Sequence, residues 1–127
     1  MRILVCGGRD FTDYNFIRDN LNRIMKEKGC YGVHGPIDSP DPITLIHGKA
    51  KGVDLLADKW AVHNYLRIEE FPAEWDKHGR SAGSIRNSRM LRVGQPDIVI
   101  AFPGGKGTAN MIAQARKVGI PVEIVEL

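Results

Sequence analysis

Residues 98–108, with the sequence IVIAFPGGKGT, join the most apolar run of the chain to a glycine-rich turn. The following residues, from Ala109 to Val118, have helical spacing. A buried strand that breaks at Pro-Gly-Gly and restarts as a helix capped by Thr108 is typical of a phosphate-binding turn. Glycine lets a backbone approach a ligand closely, and the first N–H groups of a helix are free to donate to an anion. This stretch therefore predicts an anion site.

The same unit of strand followed by helix recurs along the chain. The expected strands are Arg2–Cys6, Ile43–Ile46, Arg67–Phe71, Asp97–Phe102 and Pro121–Val125. The expected helices run from Thr12 or Asp13 to about Lys28, from about Val53 to Tyr65, from about Ser84 to Val93, and from Thr108 to Val118. Alternation of this kind predicts a three-layer α/β/α Rossmann-like fold, in which helices cover both faces of a mostly parallel sheet of about five strands.

Length and composition indicate one domain spanning residues 1–127. Of the 127 residues, 43% are hydrophobic and 26% are charged, as in a soluble globular protein. No run approaches the ~20 apolar residues of a membrane span, and residues 1–6 read as a strand instead of a signal segment. We therefore expect a cytoplasmic protein with no membrane partner. Residues 30–42 hold three prolines and predict a loop, either a surface insertion or a lid.

The chemical groups exclude several classes of site. The net charge of +3 is mild and spread along the chain, so it suits an anionic small molecule as well as a nucleic acid. The four histidines and two cysteines lack the spacing of zinc ligands, and no G-x-S-x-G motif is present. We expect no metal and no cofactor. Cys6 is expected to be a small core residue.

Three unusual loops, beginning at Gly7, Gly48 and Gly104, each follow a predicted strand. Ligands of parallel α/β folds bind at the carboxyl ends of the strands, so all three loops should meet at one edge of the sheet. The turn at 103–108 is neither a Walker A loop nor a G-x-G-x-x-G motif. Its three glycines, lysine and threonine still favour a binding turn over an ordinary connection.

Residues 47–54, HGKAKGVD, repeat this logic after the second strand. Glycines at 48 and 52 free the backbone, and lysines at 49 and 51 supply positive charge. Asp54 lies in the first turn of the next helix, where it could bind a ribose hydroxyl or only complement the helix dipole. His47 is either a polar group of the site or a structural histidine.

Arg9 and Asp10 follow two glycines at the end of the first strand. A guanidinium can grip a phosphate with two hydrogen bonds, whereas a mutual Arg9–Asp10 surface pair would contribute little. Arg86 and Asn87 are expected in the first turn of the third helix, with Ser81 or Ser84 as its cap.

The polar segment from 72 to 83 is expected to be irregular. Glu74, Asp76 and His78 could include an acid or base, although an irregular solvated loop is the commoner explanation for such charges. Trp60 and Trp75 are expected to serve packing in the core or at the rim instead of stacking on a ligand.

These motifs together give the candidate site. The candidate ligand-binding residues are Gly7, Gly8, Arg9, Asp10, His47, Gly48, Lys49, Gly52, Asp54, Arg86, Asn87, Pro103, Gly104, Gly105, Lys106, Gly107 and Thr108. The candidate catalytic residues are Asp10, Asp54, Glu74 and Arg86.

The chain resembles the SLOG superfamily, whose Rossmann-like domains are related to the Lonely Guy phosphoribohydrolases and to the DNA-processing DprA proteins. It is most similar to the small YspA-like, YpsA-related branch. Four ordered segments carry the resemblance, at residues 7–10, 47–54, 83–90 and 103–108. The resemblance implies a nucleotide-derived ligand, with NAD- or ADP-ribose-like molecules proposed for several members. It also implies a homodimer or larger homo-oligomer formed through helices that flank the sheet.

One departure from the Lonely Guy pattern concerns catalysis. In those enzymes a glutamate implicated in cleaving the base from ribose 5′-phosphate follows the glycine turn two residues later. Asn110 and Met111 stand there in this chain, and an amide cannot act as a general base. Binding or sensing of a nucleotide or nucleotide-sugar is therefore our leading hypothesis. Alternatives are an N-glycoside hydrolase with its carboxylate elsewhere and, less favoured, DprA-like binding of nucleic acid.

Overall fold

The computed structural model describes residues 1–31, Ser39 and residues 41–127. The strands are β1 (Arg2–Cys6), β2 (Thr44–His47), β3 (Arg67–Glu70), β4 (Ile98–Ala101) and β5 (Val122–Ile124). The helices are α1 (Tyr14–Glu27), α2 (Val53–His63), α3 (Trp75–His78), α4 (Ala82–Arg92) and α5 (Lys106–Lys117), with a 3₁₀ turn at Gly79–Ser81 before α4. The predicted loop of residues 30–42 lies largely outside the described residues.

The five strands form one parallel sheet with the order β3-β2-β1-β4-β5. The predicted α/β fold is confirmed. From β1 the chain builds outward through β2 and β3, and it then returns to add β4 and β5 on the other side of β1. The strand order therefore reverses between β1 and β4. In open parallel sheets, the crevice beyond the carboxyl ends of two such strands is the usual place for a ligand.

The central strand supplies both layers of the core because its side chains alternate between the two faces. Ile3 and Val5 pack with the buried residues of α1 and α2, whereas Leu4 and Cys6 pack with those of α4 and α5. Helices therefore cover both faces of the sheet, as the pattern predicts. β1 and β4 are short, nearly continuous apolar runs because strands buried on both faces have no solvent side.

The predicted helix boundaries hold for α1 and α2 within about two residues. Asp13 caps α1 as expected, since its side chain accepts a hydrogen bond from the backbone N–H of Phe16 at 3.1 Å. The prediction of Thr108 as the cap of α5 is wrong. The helix begins at Lys106 after Gly105, and Thr108 is buried in its first turn.

The segment from 72 to 83 is also more ordered than expected, because it contains α3 and the 3₁₀ turn. Neither element buries a residue, so neither leaves an apolar period in the sequence. The chain therefore enters α4 at Ala82, and Arg86 and Asn87 fall in its second turn instead of its first. Ser81 is the residue before α4, but its side chain makes no capping hydrogen bond.

Candidate functional site

The glycine-rich turn after β4 is fastened to the turn after β1. The backbone N–H of Gly8 donates to the carbonyl of Pro103 at 2.8 Å. A β-carbon at Gly104 would overlap the Thr108 hydroxyl and approach the Gly8 nitrogen to 2.8 Å. Only glycine fits this contact. The two turns therefore form one closely packed unit at the point where the strand order reverses.

The first turn of α5 leaves its backbone donors unused. Its first helical hydrogen bond runs from the N–H of Ala109 to the carbonyl of Gly105 at 3.0 Å. Within the described part of the chain, the N–H groups of Lys106, Gly107 and Thr108 have no acceptor, and no side chain caps the helix. Three free donors at the positive end of a helix dipole favour an anion.

These residues lie in the wall of a cavity of about 500 Å³. The loops after β1, β2 and β4 meet around it, together with one face of α4. The candidate ligand-binding residues that line the cavity are Gly7, Gly8, Arg9, Gly48, Lys49, Asp54, Arg86, Asn87, Gly105, Lys106, Gly107 and Thr108. The structure thus brings together residues from all four sequence segments singled out above.

Other candidate residues lie elsewhere. Those that do not line this cavity are Asp10, His47, Gly52, Glu74, Pro103 and Gly104. Asp10 and Glu74 are exposed, and the carboxylate of Glu74 lies 4.0 Å from the ammonium of Lys77. Gly52 has φ of 79°, and a β-carbon there would overlap the carbonyl oxygen of Gly8. Its role is close packing between the turn after β1 and the start of α2.

In the loop after β2, backbone N–H groups donate to side chains of the protein itself. The N–H groups of Gly48 and Ala50 both donate to Oδ2 of Asp54, at 3.0 and 3.2 Å. The N–H of Lys49, whose φ is 56°, donates to Nδ1 of His47 at 2.9 Å. Our expectation that this loop frees its backbone for a ligand is therefore wrong for these three groups. The loop can still present the side chains of Lys49 and Lys51, which line the cavity.

His47 is the structural histidine of the two alternatives. Because its Nδ1 accepts a backbone hydrogen bond, Nε2 carries the proton and donates to Oδ2 of Asp58 at 2.8 Å. Single ligand atoms of His47, Asp58 and Glu70 all lie within 4.8 Å of one another, a spacing compatible with a metal. Coordination at Nε2 would move the proton to Nδ1, where it would face the N–H of Lys49. The hydrogen bonding thus opposes a metal here.

Asp54 combines burial with an anionic group at the cavity wall. It is 5% exposed, and burial raises the pKa of its carboxyl, while the N–H of Ala50, His47, Arg86 and the N–H of Gly48 act in the opposite direction. Its Oδ2 holds the loop after β2, a role that neither of our two sequence alternatives included. Among the described residues its Oδ1 has no hydrogen-bond partner.

Arg86 fastens α4 to the same loop. Its Nη1 donates to the carbonyl of Gly48 at 2.6 Å, and its Nε donates to the side-chain oxygen of Asn87 at 3.0 Å. Burial lowers the pKa of its guanidinium, and Asp54 partly offsets that effect. Burial also raises the pKa of the nearby Cys6 thiol to about 12, so this thiol stays protonated and is a poor nucleophile.

A chain of side-chain amides joins α4 to the first turn of α5. The amide nitrogen of Asn87 donates to the carbonyl of Gly107 at 3.2 Å and to the side-chain oxygen of Asn110 at 3.1 Å. Gln114 donates to the same Asn110 oxygen at 2.7 Å and to the carbonyl of Ser84 at 3.1 Å. The position that departs from the Lonely Guy pattern is thus part of a packing contact between helices.

Sequence reasoning missed several residues of the cavity wall: Cys6, Ala50, Lys51, Pro72, Ala73, Trp75, Gly83 and Met90. The two tryptophans differ sharply. Trp60 is fully buried and donates from its indole to Asn22 at 2.8 Å, as expected of a core residue. Trp75 is 52% exposed at the cavity. The sequence feature that could have identified Trp75 as exposed is its position in a polar segment without apolar residues at helical spacing.

No helix in the described ranges is both long and apolar enough to cross a membrane.

Comparisons with known proteins agree with this architecture. The family model for YspA, cpYpsA-related SLOG proteins matches residues 1–78. The Gene 61 protein of Mycobacterium phage D29 is 35% identical over 130 aligned positions, which cover 95% of this chain and 93% of that protein. The X-ray structure of TM1055 superposes with a TM-score of 0.64 at 18% identity, covering 95% of this chain and 71% of that one. This structural likeness shows the fold.

Proposed function

The chain belongs to the YspA, cpYpsA-related SLOG family, and from that membership and the cavity we propose that it binds a nucleotide or nucleotide-sugar without cleaving it. The observation that carries the proposal is the uncapped first turn of α5. Its free N–H groups open on a cavity at the reversal of the strand order, where α/β proteins hold phosphorylated ligands.

The charges around the cavity support an anionic ligand. Arg9, Lys51 and Lys106 contribute to the wall, and none of them has a carboxylate within 4.0 Å in the described part of the chain. Lys49 is instead paired with Glu70 at 3.3 Å. Unpaired cations beside a helix N-terminus raise the local concentration of a phosphate and strengthen its binding.

The size of the cavity suits a small-molecule ligand. Its volume of about 500 Å³ lies within the ~300–1,000 Å³ range of pockets that hold such ligands. The volume is therefore compatible with a nucleotide or a nucleotide-sugar.

The first test compares ligand binding in two variants by calorimetry, with AMP, ADP-ribose, NAD and cyclic dinucleotides as ligands. In Gly105→Val, the new side chain meets no atom within 4 Å at its β-carbon, so we expect an intact fold and affinity reduced at least about 100-fold, equal to about 2.7 kcal/mol. Ala113→Val, at an exposed position of α5, is the matched control and should bind normally. Normal binding by Gly105→Val, or no binding of any ligand at millimolar concentration, would refute the proposal.

A second candidate function is N-glycoside hydrolysis, and one observation favours it. Among the carboxylates suggested by the sequence, Asp54 lies in the cavity wall, and its raised pKa suits a general acid. Incubation of nucleoside monophosphates with the protein, followed by chromatography for free base, tests this function. Release of base that is lost in Asp54→Asn would support it, whereas ligand binding without release leaves the binding function alone.

A further inference from the structure

Trp75 has an exposed aromatic side chain, and the packing of the fold does not explain this exposure. Its side chain is 52% exposed although tryptophan is a strongly apolar residue, and it helps to line the cavity beside Pro72 and Ala73. Burial of such a ring normally contributes to stability, and neither α3 nor the following 3₁₀ turn buries any residue. This arrangement leaves the indole available to a ligand.

One face of α4 spans the distance between Trp75 and the first turn of α5. A β-carbon on Gly83 would lie 3.6 Å from Cη2 of Trp75, so the ring stands over Gly83. Asn87, one turn further along α4, donates to the carbonyl of Gly107 in α5. The four-residue step from Gly83 to Asn87 corresponds to about 6 Å of helix rise. That separation is comparable to the ribose that lies between a base and its 5′-phosphate.

The two ends of the cavity also differ in chemistry. The α5 end offers free backbone N–H groups and Lys106, whereas the Trp75 end is formed by Pro72, Ala73 and Gly83. The apolar end suits the flat face of a heteroaromatic ring, and the polar end suits an anion. A nucleotide likewise has a flat aromatic base at one end and an anionic phosphate at the other.

We propose that the indole of Trp75 is the stacking surface for the base of the bound nucleotide. This inference rests on the proposed function and adds how the base is held. The residues beside the ring, Pro72, Ala73 and Gly83, carry no side-chain hydrogen-bonding group. Stacking of this kind tolerates different bases because every base has a π face. AMP and GMP should therefore bind with affinities within about tenfold of each other.

The test compares AMP with ribose 5-phosphate, which lacks the base, in three variants. Trp75→Ala should weaken AMP binding by about 5- to 150-fold and leave ribose 5-phosphate binding unchanged, because only the base meets the indole. Trp75→Phe keeps an aromatic face and should retain most of the AMP affinity. Tyr65→Ala removes an exposed aromatic side chain that does not line the cavity and should have no effect.

Fluorescence gives a second readout, since the chain has two tryptophans and Trp60 is buried. AMP should quench the wild-type emission, and Trp75→Phe should abolish this quenching. Unchanged AMP affinity in Trp75→Ala would overturn the stacking inference and leave the proposed function intact. Equal loss of AMP and ribose 5-phosphate would also overturn it, by showing a structural role. Failure of the wild type to bind either ligand would overturn both proposals.

Discussion

The loops after β2 and β4 look alike in sequence and differ in what their backbones do. Both combine glycines with lysines between a buried strand and a helix. After β2, three consecutive N–H groups donate to His47 and Asp54. After β4, the N–H groups that open α5 have no acceptor among the described residues. A glycine-rich loop is thus an anion site only when the surrounding fold leaves its donors unsatisfied.

The largest expected effect is a difference in stability between substitutions at the two neighbouring glycines of the turn after β4. Gly104→Val should destabilise the protein by at least about 3 kcal/mol, because its side chain would collide with Thr108 and the backbone of Gly8. Gly105→Val should change stability by less than about 0.5 kcal/mol. Urea denaturation of both variants measures the difference. Similar losses in the two would mean that the turn is not divided into a packed side and an open side.

The next effect concerns the loop after β2. Asp54→Ala leaves the N–H groups of Gly48 and Ala50 without their acceptor, so we expect a loss of about 2–3 kcal/mol in the free energy of unfolding. Asp10→Ala, at an exposed position, is the control and should change stability little. Unfolding measured by circular dichroism compares them. A loss below about 0.5 kcal/mol would show that the loop does not depend on Asp54.

A smaller effect is expected from the contact that supports the open turn. Asn87→Ala removes the hydrogen bonds from its amide to Gly107 and Asn110, which should cost about 1–2 kcal/mol of stability. Nucleotide affinity should fall several-fold, since the first turn of α5 is then less firmly held. Thermal unfolding and calorimetry report the two quantities. Unaltered affinity would show that the turn holds its position without α4.

The smallest expected effect is a pH dependence. Burial raises the folded-state pKa of Asp54 above the ordinary 3.8, so its stabilising contribution is complete below that value and is lost as pH rises through the folded-state pKa. The N–H of Ala50, the charges of His47 and Arg86, and the N–H of Gly48 reduce this rise in pKa. The unfolding free energy of Asp54→Asn should therefore rise relative to wild type as pH increases from about 4 to 7. Parallel pH profiles of the two proteins would contradict the raised pKa.

The alternation of apolar runs with segments of helical periodicity predicts a parallel sheet that is covered on both faces. This prediction is possible because burial on both faces of β1 and β4 leaves a local pattern in the sequence, a continuous run of apolar residues such as Ile3 and Val99. The rule that parallel strands end at one edge also predicts that the loops at Gly7, Gly48 and Gly104 meet. Neither argument determines where a backbone donor points. That direction depends on the folded conformation of each loop, which after β2 brings the side chains of His47 and Asp54 to the donors.

The same limit explains the missed residues. The start of α5 depends on the packing of Thr108 against Gly104. The preferences of amino acids for helix-capping positions do not reveal this contact. The exposure of Trp75 depends on α3, whose residues have no apolar period. The hydrogen bonds among the side-chain amides of Asn87, Asn110 and Gln114 depend on the distance between α4 and α5, which cannot be read from the sequence.

The most direct test of the central claim is an NMR titration of the ¹⁵N-labelled protein with AMP, in which individual backbone amides are followed. We expect large shifts for the N–H groups of Lys106, Gly107 and Thr108, which we propose receive the phosphate. The amides of Gly48, Lys49 and Ala50 should shift little, because they keep their acceptors within the protein. Large shifts at residues 48–50 with little change at 106–108 would place the anion at the loop after β2 and contradict the proposed site.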